Sequence, residues 1–413
     1  MKSVSRNLSS KINYLLELFP AVLVIGSRQT GKTTLAKMTR PEWKYFDLEK
    51  PSDYDLITQD FEFFFSTHSQ ELIFDEAQIS PDLFKVMRGI IDADRDRKNR
   101  FLLTGSSSPE LLKNASESLA GRIAIVEMGT LKLNEYLGQP LPIFYECFSR
   151  PITRDSFMPI LSEDVKVTLE EYLEFFLKGG YPEPSFVKDP NFHSIWMDNY
   201  IQSYIDRDIR SLFPRLDIIK YRRFISMLAD LSGTIVNRSD VGRSLDSTEK
   251  SIKEYLAIAG GTFLWRTVSS FERSKAKSIV KMPRGNFRDS GITHYLSNVF
   301  TMDQLLKYPK VGNSFEAHIC EELIKGVQAT IPGKCEYFFY RTRNGAEVDL
   351  ILSGPFGVLP IEIKYGSNTT IRQLSSLKKF IADNSLPLGL VVNNCDKAHW
   401  ISDSILVVPA RLI

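Results

Sequence analysis

The chain of 413 residues predicts an α/β fold built on a parallel sheet, and two features of its first third carry that prediction. The first is the run AVLVI at residues 21–25, which lacks polar alternation and therefore suits a parallel strand covered by helices on both faces. The second is the loop GSRQTGKT at residues 26–33, which follows this strand and opens a helix at residues 34–38. A glycine-bracketed loop that ends in Lys-Thr between a strand and a helix is suited to hold nucleotide phosphates. We therefore expect a P-loop NTPase fold.

Each position of this loop has a chemical reason. Backbone N–H groups and the helix N-terminus face the phosphates, Lys32 reaches the β and γ oxygens, and the Thr33 hydroxyl ligates magnesium. The alternative is a glycine-rich turn that arose by chance, which the complete pattern in its strand, loop and helix context disfavours. The expected cofactors are ATP and Mg²⁺. The loop residues predicted to bind them are Gly26, Ser27, Arg28, Gln29, Thr30, Gly31, Lys32, Thr33 and Thr34.

A second apolar strand, ELIFDE at residues 71–76, ends in two carboxylates. An NTPase needs one carboxylate for magnesium and one that orients the attacking water, so we assign Asp75 to the metal and Glu76 to catalysis. Such a pair also occurs at solvated strand ends and helix caps, but a separation of about two βαβ units from the phosphate loop favours the NTPase. The next strand is expected to place Thr104 between the two motifs as a sensor of the γ-phosphate or the water, with Ser106 as the second choice.

These residues resemble a known family, the bacterial and archaeal ATPases with an AAA-type core followed by a C-terminal domain of uncharacterised function. The resemblance rests on residues 26–34, on FDEAQ at 74–78, on LTGSS at 103–107 and on SLAGR at 118–122. In such ATPases an arginine near the end of the core often senses the nucleotide or acts on a neighbouring subunit. The resemblance therefore implies a catalytic role for Arg122, although a surface salt bridge is an equally good explanation of this residue.

Composition narrows the class of protein further. Hydrophobic residues make up 43% of the chain, which is enough for packed cores, and the length suggests about two to four domains. The net charge of +2 shows no overall polycation, so any contact with nucleic acid has to be local. The cysteines are scattered without metal-ligand spacing, which favours a reducing compartment over a disulfide framework or a zinc site. Because we find neither a secretion signal nor an apolar run of ~20 residues, we expect a cytoplasmic protein without membrane contact.

The middle of the chain predicts helices. A loop-rich stretch at residues 139–159 leads to a helix at 170–177, which ends at GGYP, residues 179–182, because glycine stops a helix and proline prevents its return. A further helix is expected within residues 196–212, which contain YIDRDI at 204–209. Both strings also resemble the family, although a helix stop and a charged helix face explain them from physics alone.

The next part predicts three short helices joined by tight turns, at residues 224–229, 239–245 and 247–259. Ser239 and Ser247 are the expected N-caps of the second and third helices. Together with a basic stretch at residues 273–288, this order resembles a winged helix-turn-helix. In a DNA reader the third helix enters the major groove. It would expose Thr248, Glu249, Lys250 and Lys253.

The partner of this predicted winged helix stays open between DNA and protein. The acidic residues Glu249 and Glu254 repel phosphate, and winged helices also serve as protein-docking modules. The basic stretch suits a ribbon that contacts phosphates, but a solvated hairpin has the same composition.

The C-terminal part predicts a β-hairpin from alternating strands at residues 347–352 and 359–364. Glycine and proline mark the turn, and we expect the hairpin to be symmetric about Pro355 and Phe356. One face of it is expected to be buried. The residues on that face are Val348, Leu350, Leu352, Leu359, Ile361 and Ile363.

The other face of the hairpin gathers two carboxylates and a lysine. The register places Asp349 opposite Glu362, with Lys364 on the same face. The carboxylates can hold a divalent cation, and the lysine can position or activate the attacking water. This order resembles restriction-endonuclease-like nucleases, and the resemblance assigns Glu316, on a preceding helix, as a further metal ligand. The alternative is an ordinary cross-strand ion pair between Glu347 and Lys364.

We therefore expect four domains. They are a P-loop ATPase domain of AAA type with a parallel sheet at residues 1–145, a helical lid or connector at 146–215, a winged helix-turn-helix at 216–295 and an α/β restriction-endonuclease-like domain at 296–413. The leading hypothesis is an ATPase that couples nucleotide turnover to DNA binding or processing. The alternative is a nucleotide-controlled protein-interaction switch whose nuclease-like domain is a catalytically inactive scaffold. Candidate partners are thus ATP, DNA, another protein and a second copy of the chain.

Overall fold

The computed structural model describes residues 4–68, 71–106, 111, 115, 117–272, 282–330, 335–342 and 345–413. Two compact units are present, one formed by Met1–Thr130 with Gly261–Phe263 and the other by Leu131–Gly260 with Leu264–Ile413. The finer division into four domains stays a prediction. Within the described ranges, no helix combines the length and the apolar character that crossing a bilayer requires.

The first unit contains a five-stranded parallel sheet with the spatial order β2-β3-β4-β1-β5. Its strands are β1 (Ala21–Gly26), β2 (Lys44–Asp47), β3 (Leu72–Asp75), β4 (Phe101–Ser106) and β5 (Ile123–Glu127). Every residue of β1 and β4 is buried, as expected of strands covered on both faces. The α/β fold with a parallel sheet that the sequence predicts is confirmed.

Helices precede and follow these strands. The α-helices described in the first unit are α1 (Leu8–Leu18), α2 (Lys32–Thr39), α3 (Pro51–Thr58), α4 (Phe61–Thr67) and α5 (Pro81–Ala93), and a 3₁₀ turn covers Ala77–Ile79. Because the carboxyl ends of parallel strands meet at one edge of a sheet, β1, β3 and β4 bring the phosphate loop, the acidic pair and Thr104 to the same edge.

The second unit contains a mixed nine-stranded sheet with the spatial order β13-β14-β12-β11-β10-β9-β7-β8-β6. Its strands are β6 (Thr234–Ile235), β7 (Trp265–Ser270), β8 (Arg284–Phe287), β9 (Glu336–Arg341), β10 (Glu347–Gly354), β11 (Gly357–Lys364), β12 (Gly389–Asn393), β13 (His399–Ser402) and β14 (Ile405–Pro409). The sequence did not lead us to expect β9, which joins the C-terminal strands to β7.

The α-helices described from residue 131 onward are α6 (Leu133–Tyr136), α7 (Met158–Leu161), α8 (Leu169–Lys178), α9 (Pro182–Phe186), α10 (Phe192–Ser203), α11 (Arg210–Leu212), α12 (Ile218–Leu231), α13 (Arg238–Ser244), α14 (Glu249–Gly261), α15 (Ser290–Leu296), α16 (Met302–Leu306), α17 (Val311–Thr330) and α18 (Ser375–Asp383). Short 3₁₀ segments cover Ile143–Ser149, Asp155–Phe157, Ile371–Leu374 and Ala410–Leu412. A π-helical segment, Tyr204–Ile209, continues α10 and contains the whole YIDRDI string.

The three helices predicted in the middle of the chain are present as α12, α13 and α14, but their caps differ from the prediction. Ser239 lies inside α13, and Asn237 caps this helix by accepting a hydrogen bond from the Ser239 amide at 3.1 Å. Ser247 lies two residues before α14, and the Thr248 hydroxyl accepts a hydrogen bond from the Ser251 amide at 3.1 Å. The predicted caps are wrong because each helix begins one or two residues away from its predicted start.

The strands after these helices, β7 and β8, pair antiparallel. Most of the predicted wing between them, residues 273–281, lies outside the described residues. The assignment of a winged helix therefore stays a prediction.

The GGYP string forms a buried joint with a second turn. The α8 helix ends at Lys178, and Gly179 follows with φ at +74°, a left-handed value that favours glycine. The Gly180 amide donates to Asp289 Oδ2 at 2.9 Å, and Asp289 Oδ1 accepts from the Gly291 amide at 2.9 Å as the cap of α15. A Cβ at Gly179 would lie 2.1 Å from Asp289 Oδ1, so the joint needs glycine for space as well as for conformation.

The C-terminal hairpin has the predicted register. Gly354 pairs with Gly357 and Leu350 with Ile361, which centres the turn on residues 355–356. Five residues of the predicted buried face lie together in the main core of this unit, namely Leu350, Leu352, Leu359, Ile361 and Ile363. The sixth, Val348, packs instead with Ile351 of the opposite face in a second core with residues of α18, so both faces of the hairpin are covered. A register shift between Val348 and Ile351 in the pairing with β9 turns Val348 away from Leu350, which lies in the main core of this unit.

Candidate functional site

The loop between β1 and α2 contains two residues with a left-handed backbone. Gly31 has φ at +93°, and the exposed Gln29 has φ at +61°. The side chain of Lys32 folds back over the loop, because its Nζ donates to the carbonyl oxygens of Gly26 at 3.2 Å and Ser27 at 2.9 Å. The ammonium thus lies beside the loop backbone that would surround the phosphates.

Arg6, which lies before α1, supports the phosphate loop at Thr30. It donates to the carbonyl oxygen of the buried Thr30 at 2.8 Å. Arg28 is half-buried, and its guanidinium lies 3.8 Å from the Glu49 carboxylate. Thr34 is exposed on the first turn of α2. The loop is therefore held from its protein side while several of its side chains remain accessible to a ligand.

Three hydroxyl groups donate to the buried carboxylate of Asp75. The Thr33 hydroxyl donates to Oδ2 at 2.7 Å, and the Tyr45 hydroxyl donates to the same oxygen at 2.8 Å. The Thr104 hydroxyl donates to Oδ1. The predicted partners Thr33, Asp75 and Thr104 therefore come together, and Tyr45 of β2 joins them without having been predicted.

Tyr45 is held on both sides. Lys37 of α2 places its ammonium 3.5 Å from the centre of the Tyr45 ring, which is a cation–π contact. Burial raises the pKa of Tyr45, and the hydrogen bond to Asp75 raises it further. The phenol is therefore protonated and acts as a donor.

Glu76 follows β3 with φ at +52°, a strained value for a residue other than glycine. Its Oε2 accepts from the Ser106 amide at 3.1 Å, the Ser106 hydroxyl at 2.7 Å and Gln78 Nε2 at 2.5 Å. Burial acts to raise the pKa of Glu76, but Lys32 and these hydrogen bonds outweigh it, so the pKa is lowered. Glu76 is thus an ionised carboxylate. Ser107, the last residue of the predicted motif, lies outside the described residues.

Lys32 is 5% exposed and lies between competing effects. Burial lowers the pKa of Lys32, whereas the carboxylates of Glu76 and Asp75 raise it. A bound phosphate would act in the same direction as the two carboxylates. An anionic ligand would therefore stabilise the protonated form of Lys32.

Arg122 does not lie at this edge of the sheet. It directly precedes β5, whose first residue pairs with Ala21 at the start of β1, whereas the phosphate loop follows the far end of β1. Five strand steps of ~3.3 Å separate the two ends by about 17 Å. Arg122 instead donates to both oxygens of Asp92, at 2.7 and 2.8 Å. The prediction that Arg122 senses the nucleotide of its own subunit is wrong, and its action on a neighbouring subunit stays a prediction.

The second unit brings together the predicted nuclease-like residues from α17, β10 and β11. An arginine that was not predicted, Arg284 of β8, lies among them. Its Nη1 donates to Asp349 Oδ1 at 3.2 Å, and its Nη2 donates to Glu316 Oε2. Its Nε donates to the Gly233 carbonyl oxygen at 2.8 Å. The Arg284 side chain thus connects three segments of the second unit.

Glu362 completes the cluster. Lys364 Nζ donates to Glu362 Oε1 at 2.6 Å. The cross-strand pair between Glu347 and Lys364, which was the alternative, is replaced by this contact, and Glu347 lies 3.8 Å from Arg284. Burial raises the pKa of Glu362 to about 8 and that of Glu316 to about 7, and the Asp349 charge adds to both shifts.

The described ranges contain no group of three or more His, Cys, Asp or Glu side chains placed to hold a metal ion. We refer to Glu316, Glu347, Asp349 and Glu362 as the acidic cluster. In it, the guanidinium of Arg284 donates a hydrogen bond to one oxygen of Asp349 and to one oxygen of Glu316. The assignment of Glu316, Asp349 and Glu362 as metal ligands stays a prediction.

The helix predicted to read DNA shows a mixed charge. Lys250 and Lys253 are exposed on α14. Glu249, which we expected to repel phosphate, lies 3.1 Å from Arg238 of α13. Its charge is therefore partly offset.

Tyr45, Gln78 and Arg284 were not predicted as site residues from the sequence. Gln78 belongs to the FDEAQ string, and its amide follows the acidic pair by two residues, which is a usable signal. Tyr45 and Arg284 reach their partners from other strands, so only the strand order reveals them.

The parallel sheet, the Lys-Thr loop after β1 and the acidic pair after β3 together define a P-loop ATPase fold of the AAA type. Consistently, residues 18–137 match the model of the AAA domain. Residues 169–303 and 311–413 match two models described as domains of unknown function, DUF8612 and DUF4143.

The chain is 31% identical to the uncharacterised protein Rv2008c of Mycobacterium tuberculosis, over 99% of this chain and 84% of that protein. The same values hold for the uncharacterised protein Mb2031c of Mycobacterium bovis. The uncharacterised protein MJ1544 of Methanocaldococcus jannaschii is 22% identical over 77% of this chain and 67% of that protein. The chain belongs to the family of these mycobacterial proteins, and its own domain matches support an AAA-type ATPase family with a C-terminal domain of unknown function.

The solved structures that are similar at low sequence identity include the following two. The Walker-type ATPase of Pyrococcus abyssi has a TM-score of 0.44 and 15% identity, with 72% of this chain and 99% of that chain covered. The Holliday junction branch migration motor RuvB of Thermotoga maritima has a TM-score of 0.28 and 16% identity, with 62% of this chain and 88% of that chain covered.

Proposed function

We propose that the protein binds ATP with Mg²⁺ and hydrolyses it at the edge of the sheet in the first unit. The observation that carries the proposal is the pairing of Asp75 with the Thr33 hydroxyl at 2.7 Å, directly beside the loop that contains Lys32. A carboxylate and a hydroxyl are oxygen ligands of the kind that Mg²⁺ prefers, so these residues fit the metal. Asp75 and Thr33 would hold Mg²⁺, which neutralises charge on the phosphate oxygens when it is bound.

The residues of the chain then have separate tasks. Lys32 exchanges its two carbonyl partners for phosphate oxygens, with which an ammonium forms stronger, charge-assisted hydrogen bonds. Glu76, kept ionised by its surroundings, orients the attacking water. Thr104 keeps the Asp75 carboxylate in position.

We further propose that turnover is coupled to DNA through α12–α14 and the acidic cluster of the second unit. Lys250 and Lys253 on α14 are exposed and can contact phosphates. The ion pair between Glu249 and Arg238 lowers the repulsion that the acidic side chain would otherwise exert.

A nucleotide-controlled protein-interaction switch with an inactive nuclease-like domain is the second candidate. The observation that favours it is Arg284, whose guanidinium is bonded to carboxylate oxygens that a catalytic cation would need. In this case α12–α14 contact a protein instead of DNA.

The first experiment is the rate of ATP hydrolysis with and without linear and branched duplex DNA. Lys32→Ala should abolish turnover and Glu76→Gln should reduce it to background. Lys85→Ala, which removes an exposed lysine from α5, is the matched control and should keep the full rate. An unaltered rate in Lys32→Ala would refute the assignment of the hydrolysis site.

The same assay separates the two candidate functions. Stimulation by DNA that is lost in Glu76→Gln supports coupling to DNA. A rate that responds to no DNA, together with DNA binding that lacks a steep salt dependence, favours the protein switch, because only phosphate contacts release counterions.

A further inference from the structure

Arg284 contacts three acidic side chains in the second unit, and a fourth, Glu362, lies in the same cluster. Arg284, Asp349 and Glu362 are each at most 7% exposed. The guanidinium donates to Asp349 Oδ1 at 3.2 Å and to Glu316, and it lies 3.8 Å from Glu347. The second oxygen of Asp349 accepts the Ile363 amide at 2.9 Å, which fixes the carboxylate against β11. The cluster is therefore built into the sheet.

In the described part of the chain, the hydrogen bonds of this cluster leave one buried oxygen unsatisfied. Arg284 forms ion pairs with Glu316, Glu347 and Asp349, and Lys364 forms one with Glu362. Lys364 is bonded to one oxygen of Glu362, and the other oxygen, Oε2, is buried without a hydrogen-bond partner among the described residues. Buried polar atoms are normally satisfied, so this oxygen lacks a partner that a bound cation could supply.

We propose that a divalent cation and the Arg284 guanidinium are alternative partners of Asp349 and Glu316. While Arg284 is bonded to Asp349 and Glu316, these two carboxylates point to the guanidinium and not to a shared cation. When the guanidinium withdraws, Asp349, Glu316 and Glu362 Oε2 become available to bind a cation. These ligands are all oxygens, which suits Mg²⁺ or Mn²⁺. The inference deepens the DNA-processing function proposed above for this cluster and rests on it.

The anchor of Arg284 connects this exchange to the predicted helix-turn-helix. Its Nε is bonded to Gly233 in the turn between α12 and β6, and Arg284 itself pairs with Ile235 of β6. A Cβ at Gly233 would lie 2.4 Å from the Asn313 carbonyl oxygen near the start of α17, so turn, strand and helix are closely packed. Withdrawal of the guanidinium therefore changes contacts at the end of α12. By thermodynamic reciprocity, a ligand that moves this turn changes the affinity of the cluster for the cation.

The test is Mn²⁺ binding by the full chain without nucleotide, measured by electron paramagnetic resonance. All proteins carry Asp75→Asn, which removes the candidate metal carboxylate of the first unit, so the outcome is independent of ATP hydrolysis. Arg284→Gln should bind one Mn²⁺ at least tenfold more tightly than its parent, and a further Asp349→Asn change should abolish this gain. Arg266→Gln, which breaks another buried ion pair of the same unit, is the control and should bind like the parent. Equal affinities in Arg284→Gln and its parent would overturn the proposal.

A second measurement keeps the proposal testable if Arg284→Gln does not fold. Hydrogen exchange of residues 232–236 in the Asp75→Asn parent should accelerate on addition of millimolar Mn²⁺, because release of Arg284 loosens the turn whose Gly233 and Val236 amides are bonded to the carbonyl oxygens of Gly285 and Pro283. Exchange that is unchanged at a Mn²⁺ concentration that saturates the cluster would refute the exchange of partners.

Discussion

Replacement of Tyr45 by phenylalanine is the change that best isolates the geometry around Asp75. It removes one hydroxyl, which donates to Asp75 Oδ2 at 2.8 Å, and leaves the ring that contacts Lys37. A hydrogen bond to a charged group contributes about 1.5–3 kcal/mol. Because Asp75 keeps the hydroxyls of Thr33 and Thr104, we expect the lower end of this range, which corresponds to roughly a tenfold loss of Mg²⁺ affinity.

The assay is the Mg²⁺ dependence of ATP hydrolysis at saturating nucleotide. Tyr45→Phe should need roughly ten times more Mg²⁺ for half-maximal rate, with a smaller change in the maximal rate. Tyr54→Phe removes a hydroxyl from α3 in the same unit and should leave the curve unchanged. Coincident Mg²⁺ curves for Tyr45→Phe and the parent would refute this role, because Tyr45 would then not position the metal carboxylate.

Three further predictions concern other parts of the molecule. Asp289→Asn replaces an acceptor by a donor opposite at least one buried amide, such as that of Gly180. The free energy of unfolding, measured by thermal denaturation, should therefore fall by about 1–3 kcal/mol. An unchanged transition would contradict the role of Asp289 in this joint. Burial lowers the pKa of His294 to about 4, below its ordinary 6.5, so the unfolded chain binds more protons between these values. Stability is then complete above pH 6.5 and falls by about 3 kcal/mol toward pH 4, and urea midpoints of His294→Gln should lose part of this pH dependence. Gly26→Ala would place a Cβ 2.2 Å from the Met128 carbonyl oxygen, so the loop has to shift, and turnover should fall on the order of 10²-fold; a normal rate in the hydrolysis assay would exclude this close approach.

The local patterns of the sequence predicted the parts of the fold that depend on neighbouring residues. The apolar run before the phosphate loop predicted β1, because a strand covered on both faces needs no polar side chains. The symmetric turn predicted the hairpin register that places Asp349 beside β11. In both cases a few adjacent residues determine the structure.

The parts that were missed depend on residues far apart in the chain. Arg284 reaches Glu316 and Asp349 from β8, and no pattern around residue 284 indicates a partner more than 30 residues away. The same holds for Tyr45, which meets Asp75 because β2 and β3 are neighbours in the sheet. The prediction for Arg122 is wrong for the opposite reason. Its motif resembles the family, but Arg122 precedes β5 at the edge of the sheet opposite the phosphate loop.

The strand order of the first unit has a consequence for biosynthesis. β1 pairs with β4 and β5, so the ribosome has to synthesise residues 27–100 before the first of these partners begins to emerge. At ~5–20 residues per second this interval is about 4–15 s, during which an apolar strand with no polar residue is exposed. Such a segment favours intermolecular pairing. During translation residues 21–26 therefore need to be covered early. The α1 helix is synthesised before β1 and packs on it, so α1 can provide this cover.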